Sequence, residues 1–175
     1  DMCTGSGCIA VSLKKLGGYA SVEGADISEE ALKVAKRNSE EILENSDVNN
    51  DAVSSRTEQI QNCTNLTNNQ NKQDNSEERM VSEVRTVPQT GVIFRLSDMF
   101  SAFSETERFN VIVSNPPYIP SAVIEELEPE VRDHEPRGAL DGTADGLYFY
   151  RILAEECAKH LTPGGHVYFE IGYDQ

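Results

Sequence analysis

The chain is 175 residues long with a formal net charge of −15. That is enough for one domain with a sizeable core, and the acidity disfavours a nucleic-acid backbone as the main partner, since such binding needs clustered Lys and Arg. No apolar run approaches the roughly 20 residues of a membrane span, and the four cysteines, Cys3, Cys8, Cys63 and Cys157, form no CxxC pair or metal-ligand spacing, so we expect reduced thiols, no metal and a cytoplasmic protein.

The sequence starts in a glycine-rich turn, Cys3-Thr4-Gly5-Ser6-Gly7. Gly5 and Gly7 permit a tight turn and close backbone approach to a ligand. Ile9, Ala10, Val11, Leu13 and Leu16 then predict a helix that Gly17 and Gly18 end. A glycine turn entering a helix offers backbone N–H groups to a ligand, although a plain strand-to-helix turn uses the same residues. Residues 19–25 predict a strand that ends at Asp26. An acidic residue about 20 positions past a glycine loop, at the next strand's end, can accept both ribose hydroxyls of a nucleoside cofactor. A helix cap or a solvated turn is the other use for Asp26. Ser28 already suits as N-cap of the following helix, with Glu29 and Glu30 in its first turn, which leaves Asp26 spare. That helix directs Ala31, Leu32, Ala35, Ile42 and Leu43 inward and Lys33, Lys36 and Arg37 outward.

Composition changes after Glu44. From Asn45 to Asn75 there are nine Asn and four Gln, too polar a mixture to offset its own ordering entropy. A disordered insertion is expected over about 45–88, and its tail, 77–87, reads equally as helix or strand. The Asn-x-Thr triplets at Asn62 and Asn65 are chance matches in such a segment. Residues 92–96 predict a third strand. Asp98, just past its end, could accept from an adenine amino group while Met99 packs on the ring; a capped turn with Met99 in the core has even claim.

The fourth strand, 109–114, is stopped by Asn115-Pro116-Pro117-Tyr118, because each proline fixes φ and removes a donor. The Asn115 side-chain oxygen and the Pro116 carbonyl can each accept one hydrogen from an NH2 group and so aim its nitrogen, with Tyr118 as an aromatic wall. Beyond this elbow the pattern predicts a short helix near 121–128 interrupted by Pro129. A turn-rich loop at 135–142 follows, then a helix from Asp145 to about Leu161 with Tyr150, Leu153, Ala154, Cys157 and Leu161 inward. A turn at 162–165 leads to a fifth strand at 166–171. His134, His160 and His166 are scattered and take surface or core roles. Strands alternating with helices imply an α/β, doubly wound parallel sheet. Gly5, Gly7, Asp26, Asp98 and Asn115 then all sit at carboxyl ends of strands, where such sheets bind ligands.

On these motifs the chain resembles class I S-adenosylmethionine-dependent methyltransferases. More narrowly it is similar to the HemK/PrmC family, the protein-glutamine N5-methyltransferases of peptide chain release factors. The segments that carry the likeness are DMCTGSGCIAVSL, ADISEEALKVAKRN, FNVIVSNPPYIP, EPRGALDGTADGLYFYRI and LTPGGHVYFEIGYDQ. NPPY alone is shared with methyltransferases acting on adenine or guanine amines; NPPYIP followed by EPRGAL and DGL belongs to the glutamine branch.

The resemblance implies a Rossmann-like, mostly parallel sheet. It makes residues 1–175 a partial catalytic domain without the final two strands, and puts the family's N-terminal helical release-factor-binding domain outside this chain. It implies S-adenosyl-L-methionine as cofactor, with Cys3, Thr4, Gly5, Ser6 and Gly7 around its methionine part. Asp26 would hold the ribose, Asp98 and Met99 would border the adenine, and Asn115 would face both cofactor and substrate. Asn115, Pro116, Pro117 and Tyr118 would hold the substrate amide, the glutamine of a Gly-Gly-Gln loop. The implied partners are class 1 release factors, met by a monomer without direct nucleic-acid or membrane contact. Cys3 departs from the glycine common at its position, and the insertion before Asp98 is unusually long. The runner-up activity is methylation of an exocyclic amine of a DNA or RNA base; a silent cofactor-binding scaffold is a third reading.

Overall fold

The computed structural model describes residues 1–44, 91–173 and 175. The expected insertion at 45–88, including its undecided tail, lies outside the described residues. In chain order the elements are α1 (Cys8–Leu16), β1 (Glu23–Asp26), α2 (Glu29–Glu44), β2 (Ile93–Leu96) and β3 (Phe109–Ser114). A 3-10 turn at Ile124–Glu126 follows, then α3 (Pro129–Arg132), α4 (Arg137–Leu140), α5 (Tyr148–His160) and β4 (Leu161–Phe169).

The strands are parallel. β1 pairs with β2 from Glu23↔Ile93 to Asp26↔Leu96, and β3 pairs with β4 from Phe109↔Leu161 to Ser114↔Phe169. Met2 joins the two pairs, bridging to Ala25 on one side and Ser114 on the other. Its N–H donates to the Val113 carbonyl at 2.9 Å, and the Thr4 N–H donates to the Ala25 carbonyl at 2.9 Å. The order across the sheet is therefore β2, β1, the Asp1–Thr4 segment, β3, β4. Chain direction of growth reverses at that central segment, which makes it the switch point of a doubly wound sheet. The expected α/β, Rossmann-like arrangement is the one found.

The core follows from the same order. Met2, Ala25, Met99, Phe100, Ile112, Leu153 and Cys157 form one buried cluster, with Phe103, Phe109, Tyr150, Ile152 and Phe169 packed against it. On β3, Ile112 and Ser114 are buried while Val111 and Val113 are partly buried, as in a parallel strand with cover on both faces. α2 begins as expected, with the Ala31 N–H donating to Ser28 Oγ at 3.2 Å, and it buries Leu32 and Ala35. His160 is a core residue: it is buried, stacks on Phe100 with centroids 5.0 Å apart and contacts the Glu107 carbonyl.

Several boundaries differ from the sequence reading, each for a physical reason. Pro129 starts α3 instead of interrupting a helix, since a first-turn proline loses no hydrogen bond there. The 121–128 helix shrinks to the 3-10 turn. The loop at 135–142 contains α4. β1 starts at Glu23, not at residue 19. α5 starts at Tyr148 because Asp145 acts ahead of it, accepting the Leu147 N–H at 3.0 Å. Leu161 opens β4, and the 162–165 turn is an irregularity within that strand opposite Asn110. Ile42 and Ala154 are exposed, not inward, while Ser39 is buried in their stead on α2.

Candidate functional site

The glycine loop is held by its own side chains. The Thr4 hydroxyl donates to Asp1 Oδ2 at 2.6 Å, and the same oxygen accepts the Ala10 N–H of α1 at 3.1 Å. Gly7 is the N-cap of α1 at φ 80°. A Cβ there would lie 2.9 Å from Ala35 Cβ, so no other residue fits without moving α2. Gly5, at φ 54°, would meet nothing within 4 Å; its face of the loop is open. Ser6 is tied to α2 through its carbonyl, which accepts from Asn38 Nδ2 at 2.9 Å.

Asp26 lies directly beside this loop. Its Oδ2 accepts the Gly5 N–H at 2.8 Å and its Oδ1 accepts the Ser28 N–H at 2.8 Å. The carboxylate is therefore not spare, as the sequence reading had it: it ties the loop to the start of α2. Each carboxylate oxygen has a second acceptor site, so capacity remains on an only partly buried side chain.

Cys3 and Met99 close the far side, with Cys3 Sγ 3.8 Å from Met99 Sδ. Both take the left-handed backbone, at φ 56° and 47°, which costs an L-residue about 1–2 kcal/mol. Cys3 thus adopts the conformation that glycine adopts freely at this place. Burial pushes its thiol up to about 11, the Ser114 hydroxyl opposing and the negative charges of Asp26 and Asp98 adding to the rise. A buried thiol raised in this way is a poor nucleophile. Met99 is buried and Asp98 is exposed, so the two halves of the expected adenine border face different ways. The Asp98 side chain makes no hydrogen bond among the described residues.

The elbow leaves β3 next to Met2. The Ser114 hydroxyl donates to the Met2 carbonyl at 2.9 Å, which fixes the strand end against the loop. Pro116 is fully buried and Pro117 is buried behind Asn115, which is exposed. Neither the Asn115 side chain nor the Pro116 carbonyl has a hydrogen-bond partner among the described residues. Tyr118 is half-buried; its hydroxyl donates to Glu170 Oε1 at 3.3 Å. Burial raises the phenol pKa, and the Glu170 carboxylate raises it further.

The residues after the elbow are fastened to the 135–146 loop, close in sequence and now seen to be close in space. The Ile119 N–H donates to the Leu140 carbonyl, and the Gly142 N–H to the Ile119 carbonyl. Asp141 Oδ1 accepts the Ser121 hydroxyl at 2.6 Å and the Thr143 N–H at 2.9 Å. Gly142 packs so closely that a Cβ would be 2.7 Å from Tyr118 Cα. Sequence reading did not single out Asp1, Asp141, Gly142 or Glu170 as site residues. The EPRGAL and DG segments were visible as motifs, but nothing local says that they buttress the elbow. A cavity of about 360 Å³ between the start of β1 and β3 contains none of the expected site residues.

A parallel sheet with a glycine loop at its switch point and an elbow beside it is the architecture of a Rossmann-like class I methyltransferase. Residues 20–169 match the family model of the Eco57I restriction-modification methylase, and the chain belongs to that methylase family. Its curated relatives include the release factor glutamine methyltransferases of Geobacter sulfurreducens, 35% identical across the whole chain and 45% of that protein, and of Thermodesulfovibrio yellowstonii, 34% identical across the whole chain and 46% of that protein. The one from Caulobacter vibrioides is 61% identical over 40% of this chain and 24% of its own length. Their name matches the activity of the family that the motifs resemble, and the chain spans less than half the length of each. Among the described residues no helix is long and apolar enough to cross a membrane, and no group of three or more potential metal ligands occurs.

Proposed function

We propose that the protein carrying this chain transfers a methyl group from S-adenosyl-L-methionine to the side-chain amide nitrogen of the glutamine in a release factor's Gly-Gly-Gln motif. The observation that carries this reading is the unengaged acceptor pair at the elbow, the Asn115 side-chain oxygen and the Pro116 carbonyl, rigidly mounted beside the glycine loop. Relatives named release factor glutamine methyltransferase support the same substrate class.

The donor set suits the cofactor. The open face over Gly5, the remaining acceptor sites on Asp26, and the Asp98 carboxylate and buried Asp1 Oδ1, both without a hydrogen-bond partner among the described residues, match a molecule bearing an ammonium, ribose hydroxyls and an adenine amine. Cys3 to Gly7 would surround the methionine part, Asp26 the ribose, and Asp98 with Met99 the adenine. Bound there, the sulfonium supplies an electrophilic methyl and a good leaving group.

The chain's own task is alignment. An amide nitrogen is a weak nucleophile because its lone pair is delocalised into the carbonyl. Asn115 and Pro116 would each accept one amide hydrogen, which fixes the nitrogen's direction of attack. As the nitrogen becomes tetrahedral and gains positive charge, both oxygens interact with it more strongly than in the ground state. Pro117 stiffens the elbow and Tyr118 walls it. The domain reading follows from this: the described residues form the cofactor and amide half of a catalytic domain, and release-factor docking falls to surfaces outside it.

The test is to incubate the intact protein with S-adenosylmethionine and unmodified release factor, and to map methyl groups by peptide mass spectrometry. A methyl on the Gly-Gly-Gln glutamine is the expected result. Transfer to DNA or RNA bases instead, with none to the release factor, would overturn it in favour of the base-amine activity that the NPPY motif also serves.

A further inference from the structure

β4 ends beside the elbow, and its last backbone groups are unusually well fixed. The Glu170 N–H donates to the Ser114 carbonyl at 3.0 Å, one residue before Asn115. The Glu170 carbonyl accepts the Tyr150 hydroxyl at 2.7 Å, and Tyr150 itself stands against Phe169 with centroids 6.5 Å apart. Two bonds from different elements, β3 and α5, thus set the Glu170 backbone. Its carboxylate makes no ion pair among the described residues. The hydrogen bond that reaches it comes from the Tyr118 hydroxyl, at 3.3 Å.

From this geometry we propose that Glu170 is a positioning residue for the amide site: anchored through its main chain to β3 and α5, it holds the Tyr118 ring as the wall against which Asn115 and Pro116 aim the substrate nitrogen. The inference rests on the amide-methylation reading and adds a residue to it. The two prolines stiffen the chain leading into Tyr118, and Gly142 and Gly146 crowd its backbone from behind. The ring's remaining freedom is rotation of its own side chain. At 3.3 Å the bond from Tyr118 is long for a hydroxyl donating to a carboxylate, but its far end is fixed. The rise of the phenol pKa through the Glu170 charge is consistent with that contact.

The experiment compares Glu170→Ala, Glu170→Gln, Tyr118→Phe and the Tyr118→Phe/Glu170→Ala double variant in the intact protein. It follows kcat and KM for the release-factor substrate, the dissociation constant of S-adenosylmethionine, and melting. A positioning role predicts a loss of about tenfold in kcat/KM for Glu170→Ala, with cofactor affinity and melting unchanged. Glu170→Gln keeps an acceptor oxygen and should recover most of the loss. The double variant should be no worse than the more impaired single one, because both remove the same bond. Multiplicative losses, or a fall in melting temperature and cofactor affinity that parallels the loss of activity, would overturn the proposal. A second readout is independent of turnover: the Tyr118 phenol, followed by NMR of labelled tyrosine, should titrate at lower pH in Glu170→Ala. An unmoved phenol titration sinks the contact itself. A protein that methylates no release factor but whose phenol titration does move would retain the Tyr118–Glu170 contact and lose the function reading.

Discussion

The two halves of the sheet treat their polar groups in opposite ways. On the β1 side the loop is braced from within although its Gly5 face stays open: Asp26 binds Gly5 and Ser28, Asp1 Oδ2 binds Thr4 and Ala10, and Gly7 has no room to spare against Ala35. On the β3 side the surroundings of the elbow are equally fixed, but its tip is not: the Asn115 side chain and the Pro116 carbonyl remain unengaged among the described residues. A donor that differs little from one turnover to the next suits a prebuilt cradle. A side chain presented by another macromolecule must be gripped anew each time, and free acceptors on a stiff mount do this at low entropic cost.

That contrast makes the largest effect fall at the tip. Asn115→Ala should lower kcat by about 10²–10³-fold, the scale for losing one preorganised group aimed at developing charge. Melting should stay unchanged, since Asn115 is exposed; a variant that keeps its turnover would dissolve the contrast. Gly7→Ala probes the braced half and should act in the other currency, stability. The clash with Ala35 and the positive φ together predict a loss of about 2–3 kcal/mol in denaturant unfolding. A smaller effect of opposite sign is expected at Thr143, an exposed β-branched residue at φ 71° beside the elbow. Thr143→Gly should stabilise by about 0.5 kcal/mol, because relief of left-handed strain slightly exceeds the entropy added to the unfolded chain.

The smallest expected effect concerns pH. The Arg151 hydrogen bond and the Leu147 N–H hold the Asp145 carboxyl down to about 2. A depressed folded-state value means a contribution that is present above the ordinary carboxylate range and fades as pH falls from about 4 towards 2. The residue is exposed, so the slope is shallow. Melting curves across that range should show a slightly weaker acid dependence in Asp145→Asn than in the parent, and identical slopes would remove Asp145 from the mounting of α5.

Much of this arrangement was legible in the sequence because local chemistry dictated it. Two consecutive prolines can only end β3, Ser28 with Glu29 and Glu30 can hardly do other than start α2, and the glycines at 5 and 7 sit where the backbone turns left. What was not legible depends on partners distant in sequence. Nothing near Asp26 reveals that the Gly5 N–H, 21 residues earlier, will occupy it. Ile42 and Ala154 satisfy helical spacing, yet both are exposed. Pro129 was read as a breaker although the same missing N–H makes it a good first residue. Asp141, Gly142 and Glu170 act through contacts around the elbow with residues distant in sequence, which no spacing rule encodes. At Cys3 the left-handed backbone had one sequence signal, the glycine common at that position in the resembling family.

Met2 carries a last consequence, in the order of events as the chain is made. Its bridge to Ala25 closes a short loop, available once the first two strands exist. Its other bridge reaches Ser114, whose hydroxyl meets the Met2 carbonyl across 112 positions. Distant contacts form late because loop closure must precede their reward, and synthesis itself runs from the amino terminus. The cradle around Gly5 and Asp26 can therefore mature on a nascent chain well before the elbow arrives to complete it.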